Sequence, residues 1–136
     1  MNTMREILEH LRPAAARAAM QRARNASKIA KVVSDLEQRR KLYVMKTNAV
    51  SRAIVLLPER VYVGDLSHEK VGIIGVGLAG LGQLHVPVRF LDADARRIIK
   101  RKLAGAKRRV RVRAVSEIHS TSSASHGVNT SAISAS

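Results

Sequence analysis

From Ala14 to about Leu57 the chain contains no Gly and no Pro, and Ala, Arg, Lys, Gln, Leu and Met dominate it. These are helix-favouring residues. Ile29, Val33, Leu36, Tyr43, Val50, Ile54 and Leu57 recur there at alternating steps of three and four, with Arg40 and Thr47 as polar interruptions. Such spacing predicts a long helix with an apolar seam. Two partners fit the seam: a second helix in a heptad-like oligomer interface, or the chain's own domain. Thr3 and Glu6 have the spacing of a capping box at the start of the helical region. Pro13 permits a break or a new first turn, and Asn48 or Ser51 is a candidate N-cap for a break near "KTNAVS".

After Pro58 the pattern changes. "RAIVLL" reads as the end of the helix or a first strand, and Pro58 closes it either way. "RVYV" is β-branched and aromatic and suits a strand, "GDLSHE" suits a turn, and "KVGIIGVG" is an apolar run interrupted by glycine. In "LHVPVRFL" the residues Leu84, Val86, Val88 and Phe90 alternate onto one face, with Pro87 directing the strand to a sheet edge. Asp92 or Asp94 then caps a second helix, "ADARRIIKRKLAGAKRR". The alternation in "RVRVRAV" predicts a strand with one cationic and one apolar face. From Ser116 the chain is rich in Ser, Thr and Ala and is expected to be a disordered tail. The expected fold class is α+β. A basic helical arm spans 1–58, a small α+β domain with a mostly antiparallel, Gly-rich sheet and a basic C-terminal block spans 59–115, and the tail spans 116–136.

Composition alters this picture in two ways. Aromatics make up only 2% of the 136 residues, as Tyr43, Tyr62 and Phe90. Aromatics bury the most area per residue, so the core is thin, and help from a partner or from self-association is expected. Cysteine is absent, which excludes disulfides and thiolate metal sites. The charged opening "MREILEHLRP" lacks a secretory apolar region. "AAARAAMQRARNASK" has the composition of an organellar transit peptide or of an exposed basic helix. The expected setting is intracellular, organellar or virion-internal.

Charge carries the functional expectation. The chain has 25 Lys+Arg against 10 Asp+Glu, a net charge of +15. Ten of the basic residues lie in 96–115, where there is no acid. Self-repulsion at this charge is relieved by a polyanion. Nucleic acid is therefore the first expected partner and an anionic membrane the second. The candidate phosphate contacts are Arg96, Arg97, Lys100, Arg101, Lys102, Lys107, Arg108, Arg109, Arg111 and Arg113. A second set, Arg17, Arg22, Arg24 and Lys28, lies on the arm and does not share one helix face. Sequence readout normally needs a defined motif, and no zinc finger, zipper-coupled basic region or helix-turn-helix is present. So few aromatics also argue against a base-stacking platform. Backbone binding with little sequence preference follows.

Residues 75–80, "GVGLAG", resemble the G-x-G-x-x-G dinucleotide-binding fingerprint, with Gly75, Gly77 and Gly80 in its three positions. The resemblance implies a helix crossing back to a parallel strand that ends in an acid. Here "LAGLGQLH" is too short for that crossover. A glycine-permitted bend in a small apolar sheet is expected instead, and no cofactor. Residues 71–88 are also apolar enough to suggest contact with lipid. His68 with Glu69 and Asp65 forms the one weak acid–base cluster, and no histidine pair has metal-ligand spacing. No catalytic or metal residues are assigned. The sequence is read as a non-enzymatic structural subunit of a virion interior or ribonucleoprotein. A membrane-associated assembly protein and a helical oligomerisation module are the alternatives.

Overall fold

A computed structural model describes residues 3–127. The fold is α+β, with three helices and a three-stranded antiparallel sheet. Helix α1 (Met4–Val32) and helix α2 (Leu36–Leu56) form a hairpin. Strands β1 (Val61–Asp65), β2 (Ile73–Leu78) and β3 (Gly82–Pro87) follow in spatial order β1-β2-β3, and helix α3 (Ala93–Gly127) closes the chain. Two compact units result, Met1–Lys102 and Leu103–Ser136. Helical arm and sheet therefore belong to one unit.

The capping box forms as expected: the Glu6 amide donates to Thr3 Oγ1 at 3.3 Å and the Thr3 amide to Glu6 Oε2 at 3.2 Å. Helix α1 then runs through Pro13. Proline removes one helical donor, but the cap on one side and the Ala-rich run on the other hold the helix together across the gap. The break lies at Val33–Asp35 and not near "KTNAVS", so Asn48 and Ser51 are interior residues of α2 and cap nothing. Asp35 is the N-cap of α2, accepting from the Glu37 amide at 3.0 Å. From α2, Arg39 reaches back and donates through Nη2 to the Val33 carbonyl at 2.7 Å. Three connecting residues leave the second helix no room except beside the first.

The seam between the helices is made of alanine. Ala16, Ala19, Ala23, Ala26 and Ala30, with Met20, are the buried residues of α1. The five alanines follow steps of three and four. Methyl-sized side chains let two helices approach closely, and Val50, Ala53 and Ile54 are the apolar residues of α2 that are fully buried. The large-residue seam read from the sequence is thereby divided. Val50, Ile54 and Leu57 are in the chain's own core, Val33 is half-buried at the helix break, and Ile29, Leu36 and Tyr43 are exposed. Of the two polar interruptions, Thr47 is buried and donates to the Tyr43 carbonyl at 2.9 Å.

The sheet buries Val61, Ile74, Val76, Leu78 and Val86. Two polar contacts tie it and the α3 start to the helices. Arg24 Nη1 donates to the Leu81 carbonyl at 2.6 Å, and the Asp92 amide donates to Ser51 Oγ at 3.1 Å. The end of "GVGLAG" is a hairpin turn between β2 and β3 and not a helix start. Leu78 pairs with Gly82, and Gly80 and Gly82 take φ of +81° and +93°. That left-handed region suits glycine. Strand β3 is an edge strand and ends at Pro87, so Val88 and Phe90 lie in a short 3-10 turn and not on the strand's face.

The largest departure from expectation is "RVRVRAV". Residues 109–115 belong to α3. A strand needs a neighbour to receive its backbone hydrogen bonds, whereas a helix satisfies them internally, and Arg and Ala favour it. Successive residues stand about 100° apart on a helix, so Val110 and Val112 do not share a face; both are exposed. Gly105 does not interrupt α3, and the helix carries the first part of the Ser/Thr-rich segment to Gly127. Residues 128–136 of the expected tail lie outside the described residues.

Candidate nucleic-acid interface

The first unit holds the opening turns of α3. Ala95 and Ile99 face the core, and Arg97, Lys100 and Arg101 project at i, i+3 and i+4 on the exposed side. Arg97 pairs with Asp94 at 3.2 Å, with both side chains largely in solvent, an arrangement that contributes little. Two members of the expected set are placed differently. Arg96 is half-buried, donates to the Leu91 carbonyl at 2.8 Å, and has its Nε buried without a partner. Lys102 is half-buried. Arg96 is thus tied to the fold at the start of α3.

In the second unit Lys107, Arg108, Arg109, Arg111 and Arg113 are all exposed. At helical spacing Lys107, Arg108 and Arg111 cluster on one side, with Arg109 and Arg113 round the other. The strand reading would have put Arg109, Arg111 and Arg113 in a single row. The observed distribution is a helix charged on more than one side.

On α1, Arg17, Arg22 and Lys28 are exposed. Arg24 is not available for phosphate. Its guanidinium is committed to the Leu81 carbonyl and, through Nη2, to Gln21 Oε1 at 3.0 Å. The arginine read as a ligand contact is a tie between α1 and the β2–β3 hairpin.

A cleft of about 870 Å³ opens between α2 and the β3 edge, entirely within the first unit. Arg40, Tyr43 and Lys46 line it from α2, and His85, Arg89 and Phe90 from the sheet side. Val44, Ile73 and Pro87 make part of it apolar, and its lining includes no Asp or Glu. The Lys46 ammonium lies 6.0 Å from the Tyr43 ring centroid, and the Arg89 guanidinium 4.8 Å from that of Phe90. Both are cation–π distances. Burial holds the Lys46 pKa below its usual value, and the charge of Lys31 acts in the same direction. Two of the chain's three aromatic residues and three cations therefore meet in one concave site.

His85 is fixed by a glycine. In the ladder Gly75 stands between Asp65 on β1 and His85 on β3. With no side chain at Gly75, Asp65 and His85 reach across it, and His85 Nε2 lies 2.7 Å from Asp65 Oδ2. A Cβ at Gly75 would stand 2.8 Å from Asp65 Cβ. The hydrogen bond from His85 holds the Asp65 carboxyl well below the usual carboxylate range, and the Ser67 amide adds to the effect. His68 stacks edge-on to His85, at 6.3 Å between ring centroids. The expected cluster of His68, Glu69 and Asp65 is thus centred on a different histidine.

Sequence reasoning missed Arg40, Lys46, Arg89 and His85 as site residues, because the cleft joins segments some forty residues apart. The available hint was that Tyr43 and Phe90 each stand beside basic residues in a chain with almost no aromatics. Among the described residues no group of three or more His, Asp or Glu could hold a metal ion, and no helix is long and apolar enough to cross a membrane. Residues 71–88 are largely the β2–β3 hairpin, with Ile74, Val76, Leu78 and Val86 in the core. No family model, curated protein or solved structure matches the chain.

Proposed function

We propose that the protein is a non-enzymatic basic subunit of a larger nucleic-acid-containing assembly, a virion interior or a ribonucleoprotein, and that it holds nucleic acid by the phosphate backbone without sequence preference. The observation that carries this reading is the exposure of Arg108, Arg109, Arg111 and Arg113 in a stretch, 96–115, that has no acidic residue. Arg97, Lys100 and Arg101 extend the cationic surface within the first unit, and Arg17, Arg22 and Lys28 supply further contacts. Each phosphate neutralised on duplex DNA releases counterions and steepens the salt dependence of log K by about 0.9. Replacing Arg108, Arg109, Arg111 and Arg113 together by Ala is expected to flatten that slope by roughly three to four. A variant with the native slope and affinity on both DNA and RNA ends the proposal.

A second reading has its own observation. Met4, Ile7, Leu8 and Leu11 are exposed on α1 at steps of three, one and three, which gives an apolar stripe ahead of the buried alanines. It suits self-association or an anionic lipid surface. Flotation with anionic liposomes that persists in high salt would favour the membrane form of this alternative.

A further inference from the structure

We propose that the cleft between α2 and the β3 edge is a nucleotide subsite for a single strand: a base lies against Tyr43 or Phe90 while Arg40, Lys46 and Arg89 hold its phosphates. This rests on the proposed function and narrows it, because a duplex keeps its bases stacked and cannot offer one to a cleft.

The chemistry of the walls selects this occupant. Three cations with no carboxylate in the lining attract an anion. The Lys46 ammonium is held in a desolvated position that disfavours its own charge, and an incoming phosphate would relieve that cost. Charge alone would fit any anion. The rings distinguish among them. Tyr43 and Phe90 remain 45% and 59% exposed although they flank a cleft with apolar walls. Exposed rings beside cations form the usual stacking platform for single strands, since every base has a π-face. The volume, about 870 Å³, is within the range of small-molecule sites and exceeds what a lone phosphate needs. His85, braced by Asp65 across Gly75, gives the cleft a fixed wall.

The test uses the full chain and proton NMR. With one Phe and two Tyr, single substitutions assign the ring resonances. The probes are an adenine-containing RNA octamer, an abasic octamer with the same phosphates, adenosine monophosphate, a DNA duplex and an acidic peptide. The octamer is expected to move the Tyr43 or Phe90 ring protons upfield, and the abasic strand is not. Phe90→Ala is expected to weaken octamer binding about five-fold or more, the scale of losing one stacked base. Lys46→Met is expected to weaken it and to flatten its salt slope by about 0.7, the scale of losing one phosphate contact on a single strand. Both are expected to leave duplex binding unchanged. Thermal melts of both variants verify that they are folded. Rings unmoved with the octamer bound, or native octamer affinity in both variants, overturns the proposal. So does an acidic peptide that moves the rings where the octamer does not, because the cleft would then belong to a protein partner. If neither duplex nor octamer binds but adenosine monophosphate still moves the rings, the proposed function and the single-strand subsite both fall, and the cleft takes free nucleotides instead. If the duplex binds with its native salt slope and the octamer leaves the rings unmoved, the subsite alone falls.

Discussion

Replacing Gly75 by alanine should loosen the sheet and release the Asp65–His85 pair. The added Cβ would meet Gln83 Nε2 at 2.5 Å, Asp65 Cβ at 2.8 Å and the Asp65 backbone nitrogen at 3.1 Å. The first contact is relieved by swinging an exposed side-chain end. The other two are attached to the backbone of β1, so the strand itself must give, next to the register shift between Val63 and Asp65. Overpacking of this kind costs about 1–3 kcal/mol. The alanine returns about 0.4–1 kcal/mol by restricting the unfolded chain, which leaves a net loss on the order of 1–2 kcal/mol. For a domain near 100 residues that is a fall in Tm of roughly 4–16 °C. The pair supplies a second readout. The Asp65 carboxyl is held below its usual value of 3.8, so its stabilisation is present above that pH and is lost as pH falls through the lower, native-state value. Native protein should therefore lose stability as the pH drops below about 4, and in Gly75→Ala the Asp65 carbon resonance should titrate closer to the ordinary range. Gly72→Ala is the control. Its φ is +79° with nothing within 4 Å, so it carries a backbone cost of about 1–2 kcal/mol and leaves the Asp65 titration unchanged. A Gly75→Ala protein with native Tm and native Asp65 titration would refute the argument that the glycine makes room for the pair.

Three further outcomes are expected. Arg24→Ala should destabilise the fold by about 1–2 kcal/mol, since the Leu81 carbonyl loses a charged donor. Its nucleic-acid salt slope should stay native, which urea melts and salt titrations together check. Ala23→Leu, at a fully buried position of the alanine seam, should cost about 1–3 kcal/mol by forcing α1 and α2 apart, while Ala18→Leu on the exposed side should leave the urea midpoint almost unmoved. Lys46→Met should raise the Tm or leave it native at neutral pH, because burial already disfavours the ammonium. A marked loss of stability there would mean that the charge is compensated within the free protein.

Local signals in the sequence were sufficient for the elements whose stability is local. The Thr3–Glu6 box, the helix ending just before Pro58, the strand at "RVYV" and the glycine bend at 80–82 all follow from hydrogen bonds and dihedral limits within a few residues. Two local signals were present but outweighed. Asp35, two residues ahead of Glu37, marks the start of α2, yet the apolar steps ran through it unbroken. The alanines of α1 keep heptad-like spacing, yet they read as helix propensity because a methyl group contributes little to an apolar pattern. Their function as a seam exists only once α2 lies against them.

The charge, the absence of cysteine and the α+β class were decided by the amino-acid sequence alone. Composition and short-range periodicity do not depend on which segments meet. Tertiary structure decided everything that depends on a neighbour. "RVRVRAV" alternates like a strand, but as part of α3 it satisfies its backbone within itself. Arg24 and Arg96 belong to the same basic population as Arg108, and only their nearness to the Leu81 and Leu91 carbonyls turns them into structural ties. Gly75 carries no chemistry of its own; its meaning comes from Asp65 and His85 on either side. Tyr43 and Phe90 are far apart in the chain and become one site because α2 and the β3 edge face each other across a cleft.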